Sequence, residues 1–196
     1  GRAILHTDEL TYAVIGPDSN ALLVGGVIES YRRLSQALLS ALHQLGIPAQ
    51  ANQQKRSGPG EQSQEPICFE VPSNYEITVQ GKKLIGSAQA RKRSGVLQHG
   101  SLPLYGDLAR ISLVLQYDTD STRAEAGERL LDHATTVEAV LGRRLSWKTA
   151  ADALTNAFCS KLNVELVPGE LTPNERQAVD ELLVEKYKNP AWIKRL

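Results

Sequence analysis

Methionine, cysteine, net charge and long apolar runs are scarce or missing in this 196-residue chain. No stretch reaches the roughly 18 apolar residues that a membrane-spanning helix needs, which argues against a transmembrane protein and a membrane partner. Lys plus Arg and Asp plus Glu number 22 each, and this neutral balance argues against a nucleic-acid partner. The two cysteines, Cys68 and Cys159, form neither a disulfide framework nor a zinc ligand set. They fit a reducing compartment, and we expect a cytoplasmic protein with no metal site.

The chain contains no Met, so it does not begin at a start codon, and it opens without a signal-peptide pattern. We therefore expect that an N-terminal part of the protein is missing from this sequence. The length suits one domain, or one domain with a small appendage. Hydrophobic residues at 41% and charged residues at 22% are ordinary for a globular protein.

Several patterns predict β-structure in the first half of the chain. Residues 3–15 are rich in β-formers with one polar interruption, which predicts two short strands around a turn. Apolar and polar residues alternate over 75–80, which predicts a half-buried strand. Residues 83–91 and 96–104 are expected to pair as a hairpin through a turn at 93–95.

Helical patterns occupy one early segment and the second half. Apolar residues three and four apart predict a long helix at 27–45, which Gly46 and Pro48 end. In the second half, a capping box at Thr135 and Glu138 predicts a short helix that ends at Gly142. Ser146 can cap a second helix. A capping box at Thr172 and Glu175 predicts a third helix, at 173–188.

One basic segment stands out in this neutral chain. No acidic residue occurs between Glu76 and Asp107, although five cations fall within that stretch. Such a segment makes a local positive field, but Lys and Arg also protect the exposed edge of a sheet, and composition alone favours that second interpretation. The small residues at 86–88 would let a ligand approach the backbone closely.

Motifs spread along the chain carry a resemblance to a known family. They are GRAILH at 1–6 with ELTY at 9–12, GKKLIGSAQ at 81–89, LQHGSLPL at 97–104, VPGELT at 167–172 and EKY at 185–187. Together they resemble the lipoate–protein ligase A and octanoyltransferase family, whose members share the biotin/lipoyl protein ligase catalytic domain. The segment PICFE at 66–70 is similar to the branch of octanoyltransferases that holds the acyl group on a cysteine.

The resemblance implies a set of site residues. It makes Cys68 the nucleophile and Lys83 its electrostatic activator, because a nearby ammonium lowers the pKa of a thiol. Without the resemblance, Cys68 would be interpreted as a small buried hydrophobic residue, which is how we interpret Cys159. The substrate-binding residues that it implies are Gly1, Arg2, His6, Gly86, Ala88, His99 and Gly100.

The resemblance also implies a fold and an activity. The fold is α+β, with a mixed, largely antiparallel sheet packed with helices. A catalytic domain is expected at 1–134, and 135–196 is a helical portion of the same domain or a small subdomain. The activity is transfer of an octanoyl group from acyl carrier protein, through a cysteine thioester, to a lysine of a lipoyl domain or glycine-cleavage H protein, with no cofactor.

Two alternatives stay open. One is an ATP-dependent lipoate–protein ligase that uses ATP and magnesium, with Lys83 contacting an adenylate. Ligases often carry Asn-Asp where this chain has Tyr75-Glu76, which counts mildly against ATP use. The other is a non-catalytic relative that binds a carrier protein.

Overall fold

A computed structural model of the protein describes residues 3–52, 67, 76–92 and 95–194. The strands are β1 (Glu9–Pro17), β2 (Gln50–Asn52), β3 (Glu76–Val79), β4 (Lys82–Lys92) and β5 (Gly95–Pro103). The helices are α1 (Val27–Gln44), α2 (Asp120–His133), α3 (Val137–Leu141), α4 (Trp147–Leu162), α5 (Pro173–Leu182) and α6 (Pro190–Ile193). A 3₁₀ turn at Leu108–Leu113 and a π-helical turn at Leu183–Tyr187 complete the described elements. The predicted α+β class is confirmed.

The described strands form one five-stranded sheet in the order β1-β5-β4-β3-β2, and every neighbouring pair is antiparallel. The predicted hairpin is confirmed, with Lys92 opposite Gly95 at its end. The prediction of two short strands at 3–15 is wrong. Ala3 makes a single bridge to Ile67, and the polar residues near Thr7 precede one continuous strand instead of interrupting it.

The sheet has one face packed by helices, which we call the helix face. Paired strand residues share a face, so Leu10, Tyr12 and Val14 of β1 share this face with their β5 partners. Helices α1 and α4 pack against each other, and α4 also contacts β1. The main core lies here and includes the fully buried Leu38 and Leu42 of α1.

The long first helix follows its sequence signals. Val27–Gln44 matches the predicted span to within one residue. The carboxylate of Glu29 accepts a hydrogen bond of 2.8 Å from the backbone N–H of Gly26 at the start of the helix. Gly46 takes the predicted left-handed conformation with φ of 80° after its end.

Two local predictions are wrong. Thr136 caps α3 by accepting from Ala139 N–H, one residue later than the predicted capping box. Glu138 instead accepts from Arg144 Nε at 2.9 Å, and this contact holds the pKa of the Glu138 carboxyl below its ordinary value. All four residues of β3 are buried, so this strand is not the half-buried one that alternation predicts.

The chain divides into two compact units, Gly1–Val164 and Glu165–Leu196. The boundary after residue 134 stays a prediction. In the second unit, Thr172 and Glu175 form the predicted capping box at the start of α5. The predicted single helix at 173–188 becomes α5 followed by the π-helical turn. Among the described residues, no helix is both long and apolar enough to cross a bilayer.

Candidate active site

Lys83 forms a buried ion pair on the central strands. Its Nζ lies 2.8 Å from Oε1 of Glu76, and only 6% and 9% of the two side chains are exposed. The register of β3 and β4 shifts by one residue, so Thr78 pairs with Lys83 while Ile77 pairs with Ile85. Lys83 and Glu76 therefore lie on the face of Thr78, opposite to that of Ile77. Burying an ammonium costs free energy, and this carboxylate offsets that cost.

Sequence reasoning identified Lys83 and missed Glu76. Alternation over 75–80 suggests that an acidic residue in this strand faces solvent, but burial of Glu76 depends on a partner in another strand. One signal was available, because Glu76 is the last acidic residue before the long stretch that carries five cations.

Glu9 organises a second polar cluster. Its Oε2 accepts from the Ser101 hydroxyl, and its Oε1 contacts Nδ1 of His6. The Glu9 side chain is 8% exposed, whereas that of His6 is 55% exposed. A buried carboxylate thus holds one edge of an imidazole ring that reaches solvent.

Both clusters lie on the same face of the sheet, which we call the second face. Ser101 pairs with Gly86 of β4. Counting from the register shift, Gly86 and Lys83 fall on the same side of β4. Ala88, two residues after Gly86 on β4, pairs with His99 of β5, and both residues are exposed. The structure therefore brings five of the predicted site residues to this face: Lys83, His6, Gly86, Ala88 and His99.

Gly100 is not with the other predicted site residues. It pairs with Tyr12 and with Ser87 on the helix face. A Cβ atom at this position would lie 2.5 Å from a ring carbon of Tyr12, 2.6 Å from Ser87 Oγ and 2.8 Å from the Gly86 carbonyl oxygen. The packing of that face thus requires a glycine at this position.

A small hollow adjoins the Glu9 cluster. Its lining consists of Ile4, Leu5, Thr7, Asp8, Glu9, Ile67, Pro103, Tyr105, Asp107, Leu108, Ile111 and Leu130. Ile67 and Leu130 belong to one apolar cluster with Ala134, and Ala134 forms a β-bridge with Lys83. The hollow is therefore connected by direct packing to the strand that carries the buried cation.

Three predicted site residues, Cys68, Gly1 and Arg2, lie outside the described residues and stay predictions. Ile67, the residue just before Cys68 in the sequence, lines the hollow and is 1% exposed. Cys159 is half-buried on α4.

The helix face carries a polar network of its own. The Tyr12 hydroxyl lies 2.8 Å from Ser87 Oγ and accepts a hydrogen bond of 3.1 Å from Gln98 Nε2. Gln98 Oε1 in turn accepts a hydrogen bond of 2.9 Å from Gln89 Nε2. Burial raises the pKa of Tyr12 despite these hydrogen bonds. Burial likewise raises the pKa of Tyr31 on α1 to about 12. The phenols on this face stay neutral at physiological pH and are suited to packing and hydrogen bonding.

Within the described part of the chain, His, Cys, Asp and Glu side chains form no cluster of three or more that could hold a metal ion. Lys82, the neighbour of Lys83, donates from Nζ to the Leu131 carbonyl oxygen at 2.6 Å. The two adjacent lysines thus have separate partners.

The sequence model of the lipoyl protein ligase A/B catalytic domain matches residues 1–159. The octanoyltransferase LipM of Moorella thermoacetica is 39% identical over 195 residues, which cover all of this chain and 71% of that protein. The octanoyltransferase LipM of Kyrpidia tusciae is 36% identical over 198 residues, or 98% of this chain and 70% of that protein.

Solved structures share the fold at lower identity. A bipartite lipoate protein ligase from Thermoplasma acidophilum superposes with a TM-score of 0.73 at 20% identity and covers 94% of this chain and 63% of that one. A lipoate-protein ligase A bound with ATP gives a TM-score of 0.67 at 22% identity, covering 94% and 64%. The chain thus spans less than two thirds of these solved chains, and the likeness establishes the fold.

The family prediction made from the sequence motifs is confirmed by these matches. At the level of the family, the predictions of a transferase and of a role in protein lipoylation are confirmed as well. The chain belongs to the lipoyl protein ligase A/B catalytic domain family.

Proposed function

We propose that this protein transfers an octanoyl group from acyl carrier protein, through a thioester on Cys68, to a lysine of a lipoyl domain or of glycine-cleavage H protein. The observation that carries the proposal is the buried Lys83–Glu76 pair on the strand that bridges to Ala134. Ala134 packs with Ile67, the residue before Cys68. The buried cation is thus linked through Ala134 to Ile67, which precedes Cys68 in the sequence, and this supports the proposal.

The first half-reaction exchanges one thioester for another. The Cys68 thiolate attacks the carbonyl carbon of the octanoyl donor, a new C–S bond forms, and the C–S bond to the carrier breaks. The electron pair of the broken bond stays on the leaving carrier thiolate, which takes a proton from water. A free thiol with a pKa near ~8.5 is mostly protonated at neutral pH, and the Lys83 ammonium favours its thiolate.

The second half-reaction makes the amide. The acceptor amine attacks the thioester, a C–N bond forms, and the C–S bond to Cys68 breaks. The electron pair of that bond stays on sulfur, so the Lys83 ammonium stabilises the leaving thiolate as it does the attacking one. The octanoyl group arrives already activated as a thioester, so neither half-reaction requires a cofactor.

The hollow supplies the apolar environment that an octanoyl tail needs. Ile4, Leu5 and Ile111 are among the apolar side chains that line it. At ~0.8 kcal/mol for each buried CH₂, the tail contributes roughly 5 kcal/mol of binding free energy. Gly86 and Ala88 carry little side-chain bulk on the second face, where His99 pairs with Ala88. Gly1 and Arg2 complete the proposed substrate-binding set.

Intact-mass analysis after incubation with octanoyl-acyl carrier protein, without ATP, tests this function. The protein should gain one octanoyl group that hydroxylamine removes. Cys68→Ser should abolish the adduct, and Cys159→Ser should retain it. Acylation of both variants alike would overturn the role of Cys68, while modification of a lipoyl domain only with free octanoate and ATP would indicate the ligase. Binding of the carrier protein without any acylation would indicate the non-catalytic relative. The cytoplasmic location stays a prediction.

A further inference from the structure

The Glu9 cluster carries an inference about the second half-reaction, and it rests on the proposed function. A lysine amine has a pKa near ~10.4, so at neutral pH it is almost entirely protonated and cannot attack a carbonyl carbon. The amide also has one proton fewer than the attacking amine. A group that removes a proton as the C–N bond forms would speed this step, typically by ~10²–10⁴-fold.

Lys83 is unsuited to that task. Its Nζ lies 2.8 Å from Oε1 of Glu76 in a buried setting, so its ammonium is held in that ion pair. The same positive charge is what stabilises the thiolate of Cys68. A group that must stay protonated to do this has no lone pair with which to accept a proton from the substrate.

We infer that His6 accepts the proton of the attacking lysine, and that Glu9 and Ser101 are positioning residues that orient its ring. Nδ1 of His6 faces the Glu9 carboxylate, so in the neutral ring the proton lies on Nδ1 and the lone pair on Nε2. The other oxygen of the carboxylate is held by the Ser101 hydroxyl. This arrangement fixes the tautomer in the way that a carboxylate orients the basic histidine of a catalytic triad.

The location of the pair matches this role. Glu9 lines the hollow beside Ile67, the residue that precedes Cys68, so the ring stands near the mouth of the proposed acyl pocket. The 55% exposure of the His6 side chain leaves room for a substrate protein to bring its lysine to Nε2. Asp8, also at this turn, forms an ion pair with Arg110 at 2.6 Å, and Asp107 lines the same hollow.

Proton transfer to His6 accompanies the attack of the amine. A neutral lysine amine that has lost its first proton to water attacks the thioester carbonyl carbon, and a C–N bond forms. One N–H bond breaks and its proton goes to Nε2 of His6. The C–S bond breaks and leaves its electron pair on Cys68. His6 then returns the proton to water, and the enzyme is ready for another octanoyl group.

The test separates the two half-reactions. Octanoyl-enzyme is formed with octanoyl-acyl carrier protein, and transfer to a lipoyl domain is then followed in a single turnover by intact mass. His6→Gln should slow transfer by about 10²-fold or more, a loss much larger than its effect on acylation. Glu9→Gln should slow transfer by about 10-fold, and Glu9→Asp should recover part of that loss. His133→Gln, at an exposed position at the end of α2, is the matched control and should behave as wild type.

Hydroxylamine distinguishes proton removal from a structural role. This amine is much less basic than lysine, so after it attacks the carbonyl carbon its nitrogen loses a proton to water without help from a side chain. It should therefore cleave the octanoyl thioester of His6→Gln and of wild type at equal rates. Equal slowing with hydroxylamine and with the lipoyl domain would overturn the inference, and so would transfer by His6→Gln at the wild-type rate. Failure of the wild-type protein to form any octanoyl-enzyme would overturn the proposed function and this inference together.

Discussion

The two faces of the same central strands use polar residues in opposite ways. On the helix face, Tyr12, Ser87 and Gln98 bond to one another as neutral groups beneath α1 and α4. On the second face, Lys83 and Glu9 carry charge, each held by a partner and each next to small residues or a hollow. Neutral polar groups that satisfy one another stabilise packing. The helix face also holds one cation, Arg91, which donates to Gln89 and to Ser30 of α1 and so belongs to the packing there. Among the described residues, the charges beside the hollow lie on the second face and are suited to chemistry.

The buried ion pair gives the largest expected effect on stability. Removal of the ammonium in Lys83→Ala takes a partner from the buried Glu76 carboxylate and should lower the free energy of unfolding by about 3–5 kcal/mol. Lys82→Ala, its neighbour on the strand, should lose less than about 1 kcal/mol. Urea unfolding measures both values. The double variant Glu76→Gln/Lys83→Met, which removes both charges of this pair, should recover most of the loss. Equal losses in the two single variants would contradict the contrast between the lysines.

The helix face should respond to alkaline pH. Tyr31 has a pKa of about 12 in the folded protein, against about 10 when unfolded. Folding therefore keeps a proton that the unfolded chain releases, and its stabilising effect is full below pH 10 and is lost as pH rises through 12. The shift in the pKa of Tyr31 should account for about 2–3 kcal/mol of the fall in the free energy of unfolding at alkaline pH. Urea unfolding of Tyr31→Phe between pH 9 and 12 should have a shallower slope than wild type, and an equal slope would contradict the prediction.

Gly100 tests whether a glycine in a family motif belongs to the site or to the core. A Cβ there would come within 3 Å of Tyr12, Ser87 and Gly86, so Gly100→Ala should lower the free energy of unfolding by about 2 kcal/mol. Gly95→Ala is the control on the same strand, because its Cβ would meet nothing closer than 3.7 Å. Equal thermal stability of the two variants would contradict the close packing of Gly100.

The smallest effect is expected for the neutral network. Tyr12→Phe removes the hydroxyl that contacts Ser87 and Gln98 and should cost about 1 kcal/mol. Its rate of acylation by octanoyl-acyl carrier protein should match that of wild type once the folded fraction is equal. A large fall in that rate would mean that the two faces do not divide their roles as described.

Local signals predicted much of the fold. The helix at Val27–Gln44 has a complete apolar stripe and an end signal at Gly46, and both depend on neighbours in the sequence. The hairpin of β4 and β5 is also local. The full burial of β3 was not predicted because it depends on its pairing with β4. The register shift between these strands brings Glu76 to Lys83, and the sequence of β3 alone does not show it.

The candidate site was predicted unevenly for the same reason. Lys83, His6 and His99 could be selected from motifs, since the residue types and spacing are visible in the sequence. Glu9 lies in one of these motifs, but its role requires the pairing of β1 with β5 that brings it to Ser101. Gly100 was assigned to the site because its motif also contains His99, yet adjacent strand residues point to opposite faces.

The pH dependence of Cys68 alkylation tests the central claim most directly. In a Cys159→Ser background Cys68 is the only thiol, so iodoacetamide reports on it alone. We expect an inflection below ~8.5, the value of an ordinary thiol, and an upward shift in Lys83→Met but not in Lys82→Met. The same profile in all three proteins would show that the buried cation does not act on Cys68.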